Sequence, residues 1–327
     1  MSAPVLAVEV AGLRFPSPVL VASGTFGYGF DYGKLCDPRR LGGVIVKGTT
    51  LRPRPGNPAP RLCETPSGLL NSVGLENPGV EAVIDDHLPK LAGLGVPVLV
   101  NIAGDSEADY CQIVERLTGV PGVSALEVNL SCPNVRHGGM AFGTDPQVVE
   151  RLTRLLRART DLPLFVKLSP NVTDVVATAR AAEAGGADAL SLINTLLGMA
   201  LDVDRGVPVL ANVTGGLSGP AIRPVAVRMV YQVAQAVRIP ILGMGGVASG
   251  RDAVEFLMAG ASLVAVGTAL FRDPAAPLRV TEELAEFCAQ KGVREVRRLT
   301  GVALPGRGGL KEAVDPAGAG IRKGCEA

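Results

Sequence analysis

An asparagine and a cysteine stand close together where an apolar segment gives way to a turn. Asn129 ends the segment, and Cys132 follows between Ser131 and Pro133. A structural cysteine would more naturally sit inside the apolar run, whereas a cysteine just beyond it lies on a loop, where its thiol can reach a ligand. These residues predict an amide and a thiol side by side at the end of a strand.

Short β-branched runs recur along the chain, and segments with helical spacing separate most of them. Apolar strands that alternate with helices indicate a parallel sheet. Eight such units predict an α/β fold, the (β/α)₈ TIM barrel. The alternative is a doubly wound open sheet, which would carry its phosphate-binding glycines after the first strand rather than after the last ones. The predicted strands are 19–23, 43–47, 96–102, 125–130, 164–168, 189–194, 240–244 and 263–266.

The remaining segments are assigned from their position relative to these strands. Residues 7–15 alternate apolar and polar around Gly12 and predict an N-terminal β-hairpin. Two long inserts, 50–95 and 196–219, follow strand carboxyl ends, so we expect both to overhang the active face. The predicted organisation is one barrel domain, 1–303, and a C-terminal tail, 304–327, whose role stays open.

Composition excludes several classes of function. The chain has 327 residues and a net charge of +1, so nothing indicates binding to nucleic acid or to acidic lipid. Its six cysteines are scattered without a CxxC pair, and it has two histidines, which argues against a disulfide framework and a metal site. The N-terminus lacks a basic and then apolar segment, so we expect a cytoplasmic protein.

Polar residues occupy most of the predicted strand exits. Two lysines and three asparagines converging on one barrel mouth favour a ligand site, although any one of them alone is more often a turn or cap residue. Lys47 and Lys167 each emerge directly from an apolar run, which makes a solvated surface position less favoured. The exits in chain order are Ser23, Lys47, Asn101, Asn129, Lys167, Asn194, Gly245-Gly246 and Gly267-Thr268.

The last two exits are glycine-rich. In barrels, backbone N–H groups after the final strands commonly bind phosphate, and glycine permits the close approach. A phosphate here, with amides and lysines on the other exits, fits a phosphorylated planar cofactor across the mouth, with FMN as the obvious candidate. Ordinary tight turns are the alternative reading. Other candidate functions are a non-redox barrel acting on sugar phosphates and a non-catalytic binding subunit.

Taken in order, these motifs resemble the dihydroorotate dehydrogenase family, flavin enzymes of pyrimidine synthesis. The resemblance covers residues from about 19 to 271 and rests on segments 46–50, 71–75, 129–134, 193–195, 215–220 and the two glycine-rich exits. The family's membrane-bound, quinone-linked class has an N-terminal amphipathic extension and a serine base. Here Cys132 occupies that position, which indicates class 1. The continuation through Phe142 and Asp145 is similar to the NAD-linked type B.

The resemblance implies a role for each matching position. Cys132 would be the catalytic base that removes a proton from dihydroorotate. The residues implied for FMN are Ser23, Lys47, Gly48, Asn101, Asn129, Lys167, Ile193, Gly219, Gly245, Gly246, Gly267 and Thr268. Those implied for dihydroorotate are Lys47, Asn71, Ser72, Val73, Gly74, Leu75, Asn129, Asn194 and Thr195.

The resemblance also implies the route of the electrons. In type B, NAD is the final acceptor, and a partner subunit with FAD and an iron–sulfur cluster passes electrons onward from FMN. We therefore expect a homodimer of this chain within a heterotetramer. The alternatives are the fumarate-linked type A enzyme and another FMN barrel, such as a dihydrouridine synthase-like reductase that acts on transfer RNA. A reductase of that kind would need a basic surface to bind transfer RNA, and the net charge of +1 argues against such a surface.

Overall fold

Eight parallel strands close into a barrel in the computed structural model, which describes residues 3–33, 35–130 and 142–314. The predicted strands and N-terminal hairpin are confirmed. Four of the eight barrel strands end earlier than predicted, at Val21, Asn129, Lys167 and Leu192, and the second barrel strand ends two residues later, at Thr49. In chain order the strands are β1 (Val8–Val10), β2 (Leu13–Phe15), β3 (Val19–Val21), β4 (Gly43–Thr49), β5 (Leu62–Thr65), β6 (Gly68–Asn71), β7 (Val98–Ile102), β8 (Ala125–Asn129), β9 (Leu164–Lys167), β10 (Ala189–Leu192), β11 (Leu196–Met199), β12 (Leu201–Asp202), β13 (Val207–Pro208), β14 (Thr214–Ser218), β15 (Ile241–Met244) and β16 (Leu263–Val266).

The barrel closes in the order β10-β15-β16-β3-β4-β7-β8-β9. Its strands are buried on both faces and mostly apolar, as expected where side chains fill the interior and helices cover the outside. The helices are α1 (Val80–Ala82), α2 (Leu88–Leu91), α3 (Glu107–Leu117), α4 (Pro146–Arg157), α5 (Val175–Ala184), α6 (Arg223–Ala234), α7 (Gly250–Met258), α8 (Ala269–Arg272), α9 (Ala276–Lys291) and α10 (Leu310–Ala313). None of them, within the described parts of the chain, is long and apolar enough to cross a membrane.

The covering helices begin where the sequence supplies caps. Asp145 accepts a hydrogen bond from the backbone N–H of Gln147 at the start of α4, and Pro146 fills the first helical position. Ser249 and Asp252 form a reciprocal capping box at the start of α7. These caps fix the point at which each chain segment turns from the barrel mouth into its helix.

The two long inserts build one small sheet over the carboxyl ends of the barrel strands. Strands β5 and β6 come from the first insert and β11 and β14 from the second, in the order β11-β14-β6-β5 with every pair antiparallel. Asn71 lies opposite Gly216, and its side-chain amide donates to the Gly216 carbonyl at 3.2 Å. Both inserts were expected to overhang the active face, but their pairing into one sheet is new information from the structure. We call this the lid sheet.

The described part of the C-terminal tail packs on the chain's own barrel. Helix α10 buries Ala313, and the Arg298 side chain donates to the Glu312 carbonyl at 3.0 Å. Residues 315–327 lie outside the described part. The tail up to residue 314 therefore belongs to the folded body that carries the barrel.

The lid sheet has no room for a side chain at Gly68, which gives a first prediction. A Cβ added there would lie 2.0 Å from the Ser218 carbonyl oxygen, a backbone atom that moves only with strand β14. We expect Gly68→Ala to destabilise the protein by about 1–3 kcal/mol through overpacking. A Cβ at Gly93 meets nothing within 4 Å, so Gly93→Ala should stay within about 0.5 kcal/mol of the parent. Urea unfolding followed by circular dichroism measures both, and equal midpoints would contradict the lid geometry.

Candidate functional site

A cavity of about 450 Å³ opens at the carboxyl ends of the barrel strands, beneath the lid sheet. Every predicted site residue that the structure describes lines it: Ser23, Lys47, Gly48, Asn71, Ser72, Val73, Gly74, Leu75, Asn101, Asn129, Lys167, Ile193, Asn194, Thr195, Gly219, Gly245, Gly246, Gly267 and Thr268. Cys132, the predicted base, lies outside the described residues. The cavity matches the size range of cofactor and substrate sites. Which residue binds which group stays a prediction.

Lys47 enters the cavity from an irregularity in strand β4. The register against β7 shifts between Val46 and Thr49, which places one extra residue on β4 at Lys47–Gly48. Bulges of this kind re-aim side chains next to active sites. Among the described residues no carboxylate forms an ion pair with the Lys47 ammonium. Its charge is therefore available to an anionic ligand.

Lys167 is held quite differently, by a buried acid. Its ammonium lies 3.4 Å from Oε2 of Glu127 and 3.0 Å from Oγ of Ser23. The Glu127 side chain is wholly buried, and the Lys167 side chain is 5% exposed. The same Glu127 oxygen accepts a hydrogen bond from the Asn101 side-chain amide at 2.5 Å. Glu127 therefore joins two predicted cofactor residues.

Two of the predicted substrate asparagines meet at the barrel mouth. The Asn194 amide donates to Oδ1 of Asn129 at 3.3 Å, and Oδ1 of Asn194 accepts from the Thr195 backbone N–H at 2.8 Å. Tyr110 on α3 donates its hydroxyl to the Asn129 carbonyl at 2.7 Å. Its ring meets Phe142 edge to face, with centroids 5.8 Å apart. Tyr110 thus supports the strand end that carries Asn129.

The segment 72–75 turns its carbonyl groups toward the scaffold. Asn57 donates to the Ser72 and Val73 carbonyls, from its side chain and its backbone respectively, and the Asn77 side chain donates to the Leu75 carbonyl. The backbone N–H groups of residues 73–75 meet no acceptor within the described part of the chain. Leu75 has a φ of 55°, an uncommon conformation for a non-glycine residue. Consecutive N–H groups left open in this way suit a carboxylate.

Three glycines allow the backbone to approach closely at the last strand exits. Gly219, Gly245 and Gly246 have φ values of 96°, 128° and 81°. A Cβ at Gly246 would lie 2.7 Å from the Gly219 carbonyl oxygen, and one at Gly245 would lie 2.8 Å from the Cβ of Ala226. No other residue type fits either position without displacing its neighbours.

The N–H groups near these exits divide into two sets. Asp252 accepts from the N–H groups of Ala248 and Ser249, and Glu283 accepts from that of Gly250. The start of α7 is therefore already satisfied by protein groups. The N–H groups of Gly246 and Gly267 have no protein acceptor in the described ranges. Backbone N–H groups of this second set are suited to hold a phosphate.

Several site residues were missed by sequence reasoning. Asn57 binds the backbone of the segment 72–75, which has the open N–H groups. Asn171 bridges the Thr195 carbonyl and the Leu197 N–H through its side-chain amide. Arg61 lines the cavity paired with Glu76. For Glu127, the available signal was a charged residue inside an apolar strand, two positions before Asn129. For Asn57 no comparable signal exists, because its partners lie 15 residues away.

The described cysteines do not contribute a thiol to the cavity lining. Burial raises the pKa of Cys36 and of Cys288 to about 11, and burial also raises the pKa of Cys111. Cys63 is partly exposed on β5. At neutral pH the thiols of Cys36 and Cys288 are almost wholly protonated, so neither is a usable base or nucleophile.

Fold and site together define a (β/α)₈ barrel with a polar, cationic cavity at the carboxyl ends of its strands, where barrel enzymes carry their active sites. The protein-family model for dihydroorotate dehydrogenase matches residues 5–288. The chain belongs to the dihydroorotate dehydrogenase family. The family assignment made from the sequence motifs is therefore confirmed.

Curated relatives refine this assignment. The chain is 52% identical over 301 residues to the "Dihydroorotate dehydrogenase B (NAD(+)), catalytic subunit" of Geobacter sp. (strain M21). The alignment covers 92% of this chain and 99% of the relative. It is 54% identical over 297 residues to the protein of that name from Desulforudis audaxviator, and this alignment covers 91% of the chain and 97% of the relative. These similarities confirm the predicted type B branch.

A solved structure agrees with the fold. The dihydroorotate dehydrogenase of Eimeria tenella, crystallised in complex with ferulenol, superimposes with a TM-score of 0.77 at 26% sequence identity. The match covers 91% of this chain and 88% of that one. The TM-score shows a common barrel despite the low identity.

The thiol environments predict a pattern of alkylation. With iodoacetamide at pH 7.5, Cys63 should be labelled while Cys36 and Cys288 stay unmodified in the folded protein, because burial holds the pKa of both near 11.

If Cys132 faces the substrate, orotate should slow its labelling at least tenfold and leave the Cys63 rate unchanged. Peptide mass spectrometry over time measures every site in one sample. Protection of Cys63 alone would contradict the placement of Cys132 at the substrate.

Proposed function

We propose that this protein is the catalytic subunit of an NAD-linked dihydroorotate dehydrogenase. It oxidises (S)-dihydroorotate to orotate in the synthesis of pyrimidine nucleotides and uses FMN as its resident cofactor. The observation that carries the proposal is the convergence of all the described predicted site residues on one cavity. The relatives, about half identical over nine-tenths of the chain, support the same reaction.

The cavity fits FMN by the chemistry of its donors. The open N–H groups of Gly246 and Gly267 would hold the phosphate, with Gly219, Gly245 and Thr268 around it. Oδ1 of Asn101 is buried and has no described partner, which leaves an acceptor for a ring N–H. Lys167 would supply positive charge to the ring. The remaining proposed contacts are Ser23, Lys47, Gly48, Asn129 and Ile193.

We place the substrate site in another part of the same cavity. The carboxylate of dihydroorotate would accept hydrogen bonds from the N–H groups of Val73, Gly74 and Leu75. Lys47, which has no acidic partner among the described residues, lies in the same cavity lining. The ring amides need donors and acceptors together, which an asparagine side chain offers. Asn71, Asn129, Asn194, Thr195 and Ser72 are the proposed ring contacts.

Oxidation of the substrate removes a proton from C5 and a hydride from C6. A bound FMN supplies the acceptor for the hydride. We assign the proton to the thiolate of Cys132, which follows Asn129 by three residues in the sequence. Asn129 and Asn194, joined by a hydrogen bond, would hold the ring in a fixed orientation while the proton leaves.

The electrons are proposed to leave through a second protein. The relatives are named as catalytic subunits, which supports a separate partner that carries electrons to NAD. We propose FAD and an iron–sulfur cluster on that partner, and a homodimer of this chain within a heterotetramer. Exposed apolar side chains on the second insert, Leu197, Leu201 and Val203, support burial of this face against another chain.

Substitution of Cys132 tests the base. We expect Cys132→Ala to lower the rate of flavin reduction by dihydroorotate by about 10²–10⁴-fold, because general-base catalysis contributes that much, while FMN stays bound. Cys132→Ser should retain a little activity with its optimum at higher pH, since a hydroxyl is a far weaker acid than a thiol. Anaerobic stopped-flow spectroscopy follows the bleaching of the flavin. A parent-like rate in the alanine variant would refute the assignment.

Electron acceptors test the branch of the family. The isolated chain should reduce artificial dyes with dihydroorotate, but neither NAD nor fumarate at a useful rate. Co-expression with a flavin and iron–sulfur subunit should confer NAD reduction. Steady-state assays with each acceptor decide the matter. Rapid fumarate turnover would move the protein to type A, and rapid NAD turnover by the chain alone would refute the relay.

A further inference from the structure

We propose that Glu127 is a positioning residue that orients Lys167 and Asn101 and offsets the charge of Lys167, and that it thereby sets the reduction potential of the bound flavin. The inference rests on the proposed FMN site. Glu127 does not line the cavity, so it acts through the two residues that do.

Register places Glu127 between its two partners. On the parallel sheet, Glu127 is the Cα partner of Asn101, and Asn129, two residues further along β8, is the partner of Lys167. The Asn101 amide and the Lys167 ammonium both reach the same oxygen, Oε2, at 2.5 Å and 3.4 Å. One carboxylate oxygen thus couples two neighbouring strands at the cavity wall.

A carboxylate at this position determines which end of the Asn101 amide faces the cavity. An ionised carboxylate only accepts hydrogen bonds, so Asn101 must turn its NH₂ group toward Glu127. Oδ1 of Asn101 then points elsewhere, and a Cβ at Gly48 would lie 3.0 Å from it. Asn101 therefore presents an acceptor to the cofactor cavity because of Glu127.

The same carboxylate moderates the electrostatics of the cavity. The Lys167 ammonium, nearly devoid of solvent, needs an anionic partner, and Glu127 is the carboxylate it meets in the described part of the chain. Reduction of a flavin places negative charge on its ring. Lys167 stabilises that charge, and Glu127 opposes it. Removal of the Glu127 charge and removal of the Lys167 charge should therefore move the reduction potential in opposite directions.

The test is the midpoint potential of FMN in the Glu127→Gln holoprotein, measured anaerobically with dithionite and reference dyes. Glutamine keeps the shape and an acceptor but loses the charge. We expect reduced FMN to gain about tenfold in affinity relative to oxidised FMN, which raises the midpoint by about 30 mV. The KM for dihydroorotate should stay within about twofold, since Glu127 lies outside the cavity lining.

A matched control is Glu183→Gln. Its carboxylate accepts from the backbone N–H groups of Arg238 and Ile239 at the amino end of β15, on the opposite side of the barrel from the cavity. This variant loses the same charge and should leave the midpoint unchanged. An unchanged or lowered midpoint in Glu127→Gln overturns the role of Glu127. The titration uses a chemical reductant, so failure of the proposed substrate, or of FMN binding by the parent protein, is seen separately.

A second pair of variants keeps the inference testable if Glu127→Gln folds poorly. Lys167→Met leaves the Glu127 charge buried without this partner, whereas Glu127→Gln/Lys167→Met removes both charges. We expect the double variant to melt at a higher temperature than Lys167→Met and to bind FMN with a midpoint below that of the parent. Equal melting temperatures for the two variants would overturn the pairing of Glu127 with Lys167.

Discussion

Closure of the parallel barrel is the constraint on which the rest of the structure depends. Because all eight strands run in one direction, their carboxyl ends meet at one rim, and residues far apart in sequence reach the same cavity. Strand β3 pairs with β16, which joins the first exit, Ser23, to the last, Gly267-Thr268. The apolar interior fixes the strands, and neighbours such as Tyr110 and Glu127 hold the polar groups at the strand ends in place.

The lid sheet adds a second requirement to barrel closure. Its central pair, β14 and β6, belongs to two different inserts, so neither insert can form its half of the cavity alone. Ser218 on β14 accepts a hydrogen bond from the hydroxyl of Thr268 at 2.8 Å. The Asn71 amide is held by the Gly216 carbonyl on the same strand. One strand thus connects the proposed phosphate and substrate regions.

The sequence was sufficient for the barrel and for the residues on its rim, but not for the connections beneath and above them. Strand exits are readable because an apolar run ends in a polar residue, as at Lys47 and Asn129. The lid sheet pairs residues such as Leu70 and Leu217, which are separated by almost half of the chain. No local pattern encodes that pairing. Asn57 and Asn171 act through backbone groups of other segments, so their neighbours in sequence do not reveal them.

The contrast between the two lysines of the cavity explains how one site can treat two anions differently. Lys47 stands on a bulge without an acidic partner among the described residues, so its full charge is offered to a ligand that comes and goes. Lys167 contacts Glu127 and Ser23, so its charge is offset and its position is fixed, which suits the proposed resident cofactor. Beside the proposed flavin, a buried cation with no acid next to it would stabilise the reduced state more strongly and make the loss of electrons less favourable. On the proposed assignment, Glu127 inside strand β8 serves the second half of the catalytic cycle, in which the reduced cofactor gives its electrons away.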